Sequence, residues 1–330
     1  MVTEVGERKM ERAEQMIDLL KECAQAKSIG ISGHIRPDGD CVGATMALYQ
    51  YFKKVFKETQ VEVLLETPSE VFGDIKGVSQ IISEKEDGQV YDVFIVVDSG
   101  PDRIGFAYPY YEKAKKTINI DHHISNPGGI CDAEYIVPTA SSASELIYDL
   151  IDKQYMDEEL ARTIYIGIIH DTGVFQYSNT SPKTLRIAAD LLEYGFDFPK
   201  LIDETFYEKT NVQSQILGRT LLESILLMDG KCAVGVVTKR MMEFYGVTSK
   251  DFEGIVNQLR IIKGVEVAIF MYEKETQEFK VSLRSCGKVD VSKVAEFFNG
   301  GGHVRAAGCN IAGTYRDVIN NLTEQIAKQL

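Results

Sequence analysis

The chain has cysteines but no cysteine pattern. Cys23, Cys41, Cys131, Cys232, Cys286 and Cys309 are scattered, and no two form a CxxC pair. That spacing predicts neither a zinc site nor a disulfide framework, and each reads as a reduced core residue. Long apolar runs are missing too. Runs such as 94–97 and 164–169 are far too short to span a bilayer. The opening stretch MVTEVGERKMERAEQ is charged from its first turn, without the apolar segment of a signal peptide. The expectation is a cytoplasmic protein that makes no use of a membrane. Positive charge is also scarce: 36 Lys plus Arg stand against 49 Asp plus Glu, a net charge of −13. Gripping long nucleic acid takes a basic stripe that neutralises phosphates, so this balance argues against such a partner and leaves room only for a local basic pocket. Internal repeats and low-complexity segments are absent.

What is present suits a globular protein. At 330 residues the chain exceeds the usual single domain, and 44% hydrophobic content is enough for real cores. Met10, Ala13, Ile17, Leu20 and Ala24 recur at helical spacing and predict an amphipathic opening helix. Apolar strand-like runs then alternate with helical segments. The strands are read at 28–34, 61–65, 92–99 and 117–123, and the helices at 40–56, 143–152 and 158–170. This alternation predicts an α/β fold, a parallel sheet with helices on both faces. Residues 181–218 read as largely helical. Beyond them, strands at 231–238, 265–274 and 278–285, the last two joined by a tight turn near Thr276, predict a mixed sheet. The expected layout is a first domain over 1–190, a helical linker over 191–218 and a smaller α/β domain over 219–330.

In doubly wound folds ligands bind beyond the carboxyl ends of the strands. Here those ends carry metal-ligand residues in succession: His34, Asp38 and Asp40 in GHIRPDGD, then Asp98, then Asp121-His122-His123, and Asp171 after His170 at a helix end. A single Asp at a strand end is usually a cap or turn former, and Asp40 could simply cap the helix that follows. The joint pattern decides against that reading. Burying so many carboxylates together without a cation would cost several kcal/mol per ion. Carboxylate plus imidazole without thiolate suits Mn²⁺, with Mg²⁺, Co²⁺ or Fe²⁺ as alternatives. Two ions about 3.5–4 Å apart can share a carboxylate and clamp a phosphoryl displacement by hydroxide. A second cluster lies at Asn299-Gly300-Gly301-Gly302-His303, where successive glycines let backbone N–H groups approach an anion; a tight turn after a helix is the plainer alternative. Arg284 and Arg305 favour the anion, because Arg recognises phosphate bidentately.

GHIRPDGD, Asp98, the literal Asp121-His122-His123 and Asp171 resemble, in order, the motifs of the DHH phosphoesterase superfamily, and the stretch from Val281 through GGGHVRAAG resembles its associated C-terminal substrate-binding domain. The resemblance covers nearly the whole chain. It is strongest to stand-alone members that degrade very short oligoribonucleotides and dephosphorylate pAp (adenosine 3′,5′-bisphosphate). It implies one metal held by His34, Asp38 and Asp98 and another by Asp40, Asp98, His122 and Asp171, with Asp98 bridging. It further implies that His123 faces the scissile phosphate and that Asp121 orients the neighbouring histidines. Arg284, Gly300, Gly301, Gly302 and His303 would hold substrate from the far side of an interdomain cleft. Roles for Arg103, His170 and Arg305 stay open, as does a homodimer. A stand-alone phosphodiesterase of cyclic or linear dinucleotides is the alternative, and a non-catalytic nucleotide-binding regulator a more distant one.

Overall fold

Every residue of strand β3 (Val93–Val97) is buried. Val93, Ile95 and Val97 enter one core, shared with the helix Gly39–Val55, while Phe94 and Val96 enter another with Tyr110 and Tyr111. A strand apolar on both sides must be covered on both faces, which is the environment of a parallel sheet. The computed structural model describes residues 16–86 and 88–330. It places β3 at the centre of a five-stranded sheet with β1 (Ser28–Ser32), β2 (Gln60–Val63), β4 (Thr117–Asp121) and β5 (Ala133–Ile136), in the order β2-β1-β3-β4-β5. All four pairings are parallel. Asp92 ties the sheet together at its amino edge: its carboxylate accepts from Lys27 N (2.8 Å) and Ser28 N (3.1 Å) and pairs with Lys115 Nζ at 2.6 Å.

The helices Gly39–Val55 and Glu158–Asp171 cross at close range because glycines meet there. A Cβ on Gly43 would fall 2.8 Å from Gly167 Cα, and one on Gly167 would fall 1.8 Å from Ser144 Oγ and 2.8 Å from Asp40 Oδ1. This approach sets the end of the second helix, and hence Asp171, beside the start of the first. Of the expected opening helix, Leu19–Cys23 is helical and capped by Asp18, whereas Met10 and Ala13 lie outside the described residues. Strand β5 was not anticipated. Among the described residues no helix is long and apolar enough to cross a membrane.

The chain divides into two compact units after Glu208. The helices Pro182–Leu192 and Phe198–Ile202 fall in the first unit and Asn211–Leu222 in the second. The second unit has a six-stranded sheet of β6 (Ile225–Leu227), β7 (Cys232–Val237), β8 (Val267–Glu275), β9 (Glu278–Ser285), β10 (Gly301–His303) and β11 (Ala306–Ala312), ordered β10-β11-β9-β8-β7-β6. Only β7 and β8 pair in parallel, so the sheet is mixed. β8 and β9 form the expected hairpin, with Gln277 at φ 59° in its turn. The glycine run is entered through a turn with Asn299 at φ 57° and ends in a strand. Gly301 and Gly302 belong to β10, and a Cβ on Gly302 would lie 2.5 Å from Ala306 O, so glycine there allows two strands to close on each other.

Candidate active site

The four motif segments of the first unit converge at the carboxyl edge of the parallel sheet. Asp98 directly follows β3, at φ 59°. For an L-residue this left-handed conformation costs about 1–2 kcal/mol, which Asp tolerates better than most. It delivers the carboxylate between three imidazoles. Asp98 Oδ2 lies 3.4 Å from His34 Nε2, and Oδ1 lies 3.4 Å from His122 Nε2 and 3.7 Å from His123 Nδ1. His34 Nε2 is also 3.6 Å from Asp38 Oδ1, and His122 Nε2 is 3.8 Å from Asp40 Oδ2 and 3.6 Å from Asp171 Oδ2. Asp98 is 2% exposed, and its Oδ1 is buried without a hydrogen-bond donor. A buried charged oxygen in that condition is costly unless a cation meets it.

Each side chain is held from behind. Asp38 is the N-cap of the helix Gly39–Val55, accepting from Asp40 N and Cys41 N at 3.2 and 3.1 Å. Asp40 therefore does not cap its own helix. Its carboxylate accepts instead from Ala143 N (2.6 Å) and Ser144 N (2.9 Å), at the positive end of the helix Ala143–Leu150. His34 Nδ1 donates to the Ile35 carbonyl at 2.9 Å, which turns Nε2 toward Asp38 and Asp98. Asp121 Oδ1 accepts from His122 N, His123 N and His123 Nδ1 at 2.8, 3.1 and 2.8 Å.

Three asparagines that sequence reasoning passed over complete the support. Asn126 Nδ2 donates to Asp121 Oδ2 (2.6 Å) and Asn119 Oδ1 (2.8 Å), and Asn119 Nδ2 donates to Val96 O and Ser99 O at 3.1 and 2.8 Å. Asn179 Nδ2 reaches Ser141 O at 2.8 Å and Asp171 O at 3.1 Å. One signal was available: Asn119 precedes Asp121 by two residues on β4, and a polar residue inside an apolar strand needs a partner.

Electrostatics follow from this crowding. Burial, then the nearby Asp98 and Asp171 charges, push the Asp40 carboxyl well above its usual range. Burial opposes charge on His34, yet Asp38 and Asp98 outweigh it and raise its pKa to about 10; burial likewise opposes charge on His122, and Asp98, Asp40 and Asp171 raise it to about 10. The carboxylates that favour protons on these imidazoles equally favour a cation. A divalent ion would displace those protons and use the same nitrogens. The donor set fits such an ion: His34, Cys41 and Asp98, then Asp98, His122 and His123, then Asp40, His122 and Asp171 each bring candidate ligand atoms within 4.8 Å of one another. Burial pushes the Cys41 thiol pKa well up, which keeps it protonated and a poor ligand. His170 makes no ion pair with the carboxylates among the described residues, and burial pushes its pKa down to about 4. Its ring packs edge-on against Phe72 and Phe206 and across Gly39, whose Cβ would fall 2.1 Å from His170 Cγ.

In the second unit the backbone register sets His303 opposite Ala306 and Ala306 opposite Arg284. The His303 side chain lies outside the described residues. Arg305 donates to the Val289 carbonyl at 3.3 Å, a contact within its own unit.

Fold and centre together define a phosphoesterase, a hydrolase whose carboxylates and imidazoles could hold divalent metal. Residues 28–168 match the DHH family, N-terminal domain, and residues 229–330 match the DHHA1 domain. The chain thus carries a DHH domain and a DHHA1 domain. It is 28% identical over 299 residues to the bifunctional oligoribonuclease and PAP phosphatase NrnA of Bacillus subtilis, covering 89% of this chain and 92% of that protein. To the NrnA of Thermus thermophilus it is 28% identical over 314 residues, covering 91% and 90%. Among solved structures, an exopolyphosphatase-related protein from Bacteroides fragilis superposes with a TM-score of 0.86 at 27% identity, covering 93% of this chain and 94% of that one.

Proposed function

We propose that this chain hydrolyses very short oligoribonucleotides and pAp with two divalent ions, Mn²⁺ foremost, at the centre around Asp98. The observation that carries the reading is Asp98 itself: one buried carboxylate facing His34 on one oxygen and His122 on the other, with Oδ1 lacking a donor. His34, Asp38 and Asp98 would hold one ion, and Asp40, Asp98, His122 and Asp171 the other. When bound, such a pair activates water and neutralises charge developing on the phosphoryl oxygens.

The rest falls to the chain's own groups. In the hydrolysis, a water oxygen bonds to phosphorus, the ester P–O bond breaks, and a proton ends on the departing oxygen. Asp121 and Asn126 fix the His123 ring through Nδ1, leaving Nε2 for a phosphate oxygen. In the second unit, Arg284, His303 and the glycines 300–302 would bind the remaining phosphate or base. NrnA proteins, described as oligoribonucleases and PAP phosphatases, align with about nine-tenths of this chain, which supports the substrate class. The net charge of −13 supports short substrates over long ones, because an acidic surface repels additional phosphates.

The test is a product assay with Mn²⁺ over pAp, 5′-labelled RNAs from dinucleotides to long strands, and cyclic dinucleotides. Activity should be highest on pAp and the shortest RNAs and fall steeply with length, with the gap narrowing as salt rises. Equal or faster turnover of long strands would overturn the short-substrate reading. Preference for a cyclic dinucleotide would replace it with a phosphodiesterase.

A further inference from the structure

Glu145 is a carboxylate outside the metal-ligand motifs, and it is 1% exposed. It sits on the helix Ala143–Leu150, whose other buried residues include Ala143, Leu146 and Ile147. A charge buried in such company is costly unless it is paired and hydrogen-bonded. Helix capping is the plainest reason for it: Ser142-x-x-Glu145 has the spacing of a capping box, and Ser142 Oγ accepts from Glu145 N at 3.0 Å. The carboxylate does not close the box on Ser142 N. Its Oε2 accepts instead from Ser141 Oγ at 2.6 Å and Thr184 Oγ1 at 2.7 Å, and Oε1 lies 3.3 Å from Lys183 Nζ. Burial opposes its charge, but Ser141, Thr184 and Lys183 hold its pKa below the usual range. An ionised carboxylate only accepts, so both hydroxyls must donate to it.

Both hydroxyls lead to Asn179. Ser141 O accepts from Asn179 Nδ2 at 2.8 Å, and Thr184 Oγ1 accepts at 3.2 Å from the amide of Ser181, which follows closely on Asn179. The Asn179 amide in turn reaches Asp171 O at 3.1 Å and Asp171 Oδ2 at 3.3 Å. The same turn also serves Asp40, whose carboxylate accepts from Ala143 N and Ser144 N. Asp40 and Asp171 stand on different helices, and the segment that Glu145 ties down meets them both. His34 and Asp38 are held by other groups, the Ile35 carbonyl and the first turn of the helix Gly39–Val55. Glu145 therefore stands behind ligands assigned to one ion and not behind those peculiar to the other.

We propose that Glu145 is a positioning residue for the ion assigned to Asp40, Asp98, His122 and Asp171, fixing Asp40 and Asp171 through Ser141, Thr184 and Asn179. The inference rests on the two-ion reading above. The test is calorimetric titration of Mn²⁺ into the full chain, with Tm measured alongside. The unaltered chain should bind two ions. Glu145→Ala should weaken one of them about tenfold or more, the scale of a lost supporting contact, and leave the other unchanged. Glu145→Gln, whose carbonyl oxygen can accept from both hydroxyls, should restore the affinity. Ser141→Ala removes a single hydroxyl and should weaken the same ion; it carries the test should Glu145→Ala not fold. Ile147→Val trims the same helix without touching these hydrogen bonds, and should lower Tm while leaving both affinities as they were. Unchanged affinity in the Glu145→Ala or Ser141→Ala chain would overturn the proposal. Equal weakening of both ions, or an equal loss in Ile147→Val, would overturn it too. Fewer than two ions on the unaltered chain would instead overturn the two-ion reading, and this inference with it.

Discussion

Asp98 Oδ1 and His122 Nε2 stand 3.4 Å apart, with the carboxylate's other oxygen 3.4 Å from His34 Nε2. One side chain therefore addresses both halves of the centre. Asp98→Asn keeps a residue that tolerates φ 59° while removing the charge. We expect turnover to fall about 10³-fold or more, the equivalent of several kcal/mol of lost charge stabilisation. Bound metal, measured by elemental mass spectrometry, should fall at both positions. Full activity with both ions retained would refute the shared-ligand assignment.

Asn126→Ala removes the donor to Asp121 Oδ2 and with it the link to Asn119. Loss of such a supporting contact typically costs about 10–100-fold in activity or metal affinity. Because His123 is proposed to face substrate and not metal, the loss should appear in kcat with metal content preserved. Asn126→Asp, which retains the size but not the donor, should fail to restore activity.

Gly167→Ala tests the helix crossing. Alanine gains up to about 1 kcal/mol in helix propensity. The new methyl would nonetheless sit 1.8 Å from Ser144 Oγ and 2.8 Å from Asp40 Oδ1. Overpacking of this kind costs about 1–3 kcal/mol. A lower Tm should accompany an activity loss larger than the fraction unfolded explains, because Asp40 and Asp171 are pushed apart. Unchanged Tm and activity would show that the contact is soft.

Arg284→Ala should leave bound metal unchanged. It should lower kcat/KM by the equivalent of about 1.5–3 kcal/mol, the scale of a hydrogen bond to a charged group. Loss of metal in this variant would contradict a role confined to substrate.

A pH series on Asp92→Asn isolates a structural carboxylate from the candidate metal ligands. Lys115 foremost, with the Lys27 and Ser28 amides, lowers the Asp92 pKa from 3.8 to about 2. The folded value lies below the unfolded one, so the carboxylate stabilises the fold above pH 4 and that contribution is lost as pH falls through 2. The variant should melt lower at neutral pH, by about 1 kcal/mol or less for so exposed a pair. The difference should close as the solution is acidified. A gap that widens in acid would reverse the sign of this account.

Strands β1, β3 and β4 and the residues at their ends were legible because a parallel strand buried on both sides announces itself as a short apolar run, and its exit as a polar residue. Strand β5 gave no such signal: Ala133–Ile136 has only two fully buried residues, and its pairing with β4 is long-range. Strand β10 was hidden by glycine, which has low strand propensity and here serves a close approach to β11. The metal-ligand candidates could be read because each sits in a motif. Asn126 could not, because it acts through a partner set by tertiary contact, and Asn119 signalled only that it needs a partner. Nor could the support behind Asp40, whose carboxylate accepts from the amides of residues 143 and 144 far along the chain.

The placement of Asp98 also fixes how the centre can fail. Its own amide donates to Ile120 O at 2.9 Å, extending the ladder of β3, the central strand of its sheet. Amides in such a strand exchange with solvent only when the whole unit unfolds, whereas loops and helix ends open far more often. Deuterium uptake at residues 93–98 should therefore track global unfolding, while the segment after Asp171 exchanges sooner. Asp98, which faces both His34 and His122, is therefore expected to hold its place for as long as the sheet of the first unit stays paired.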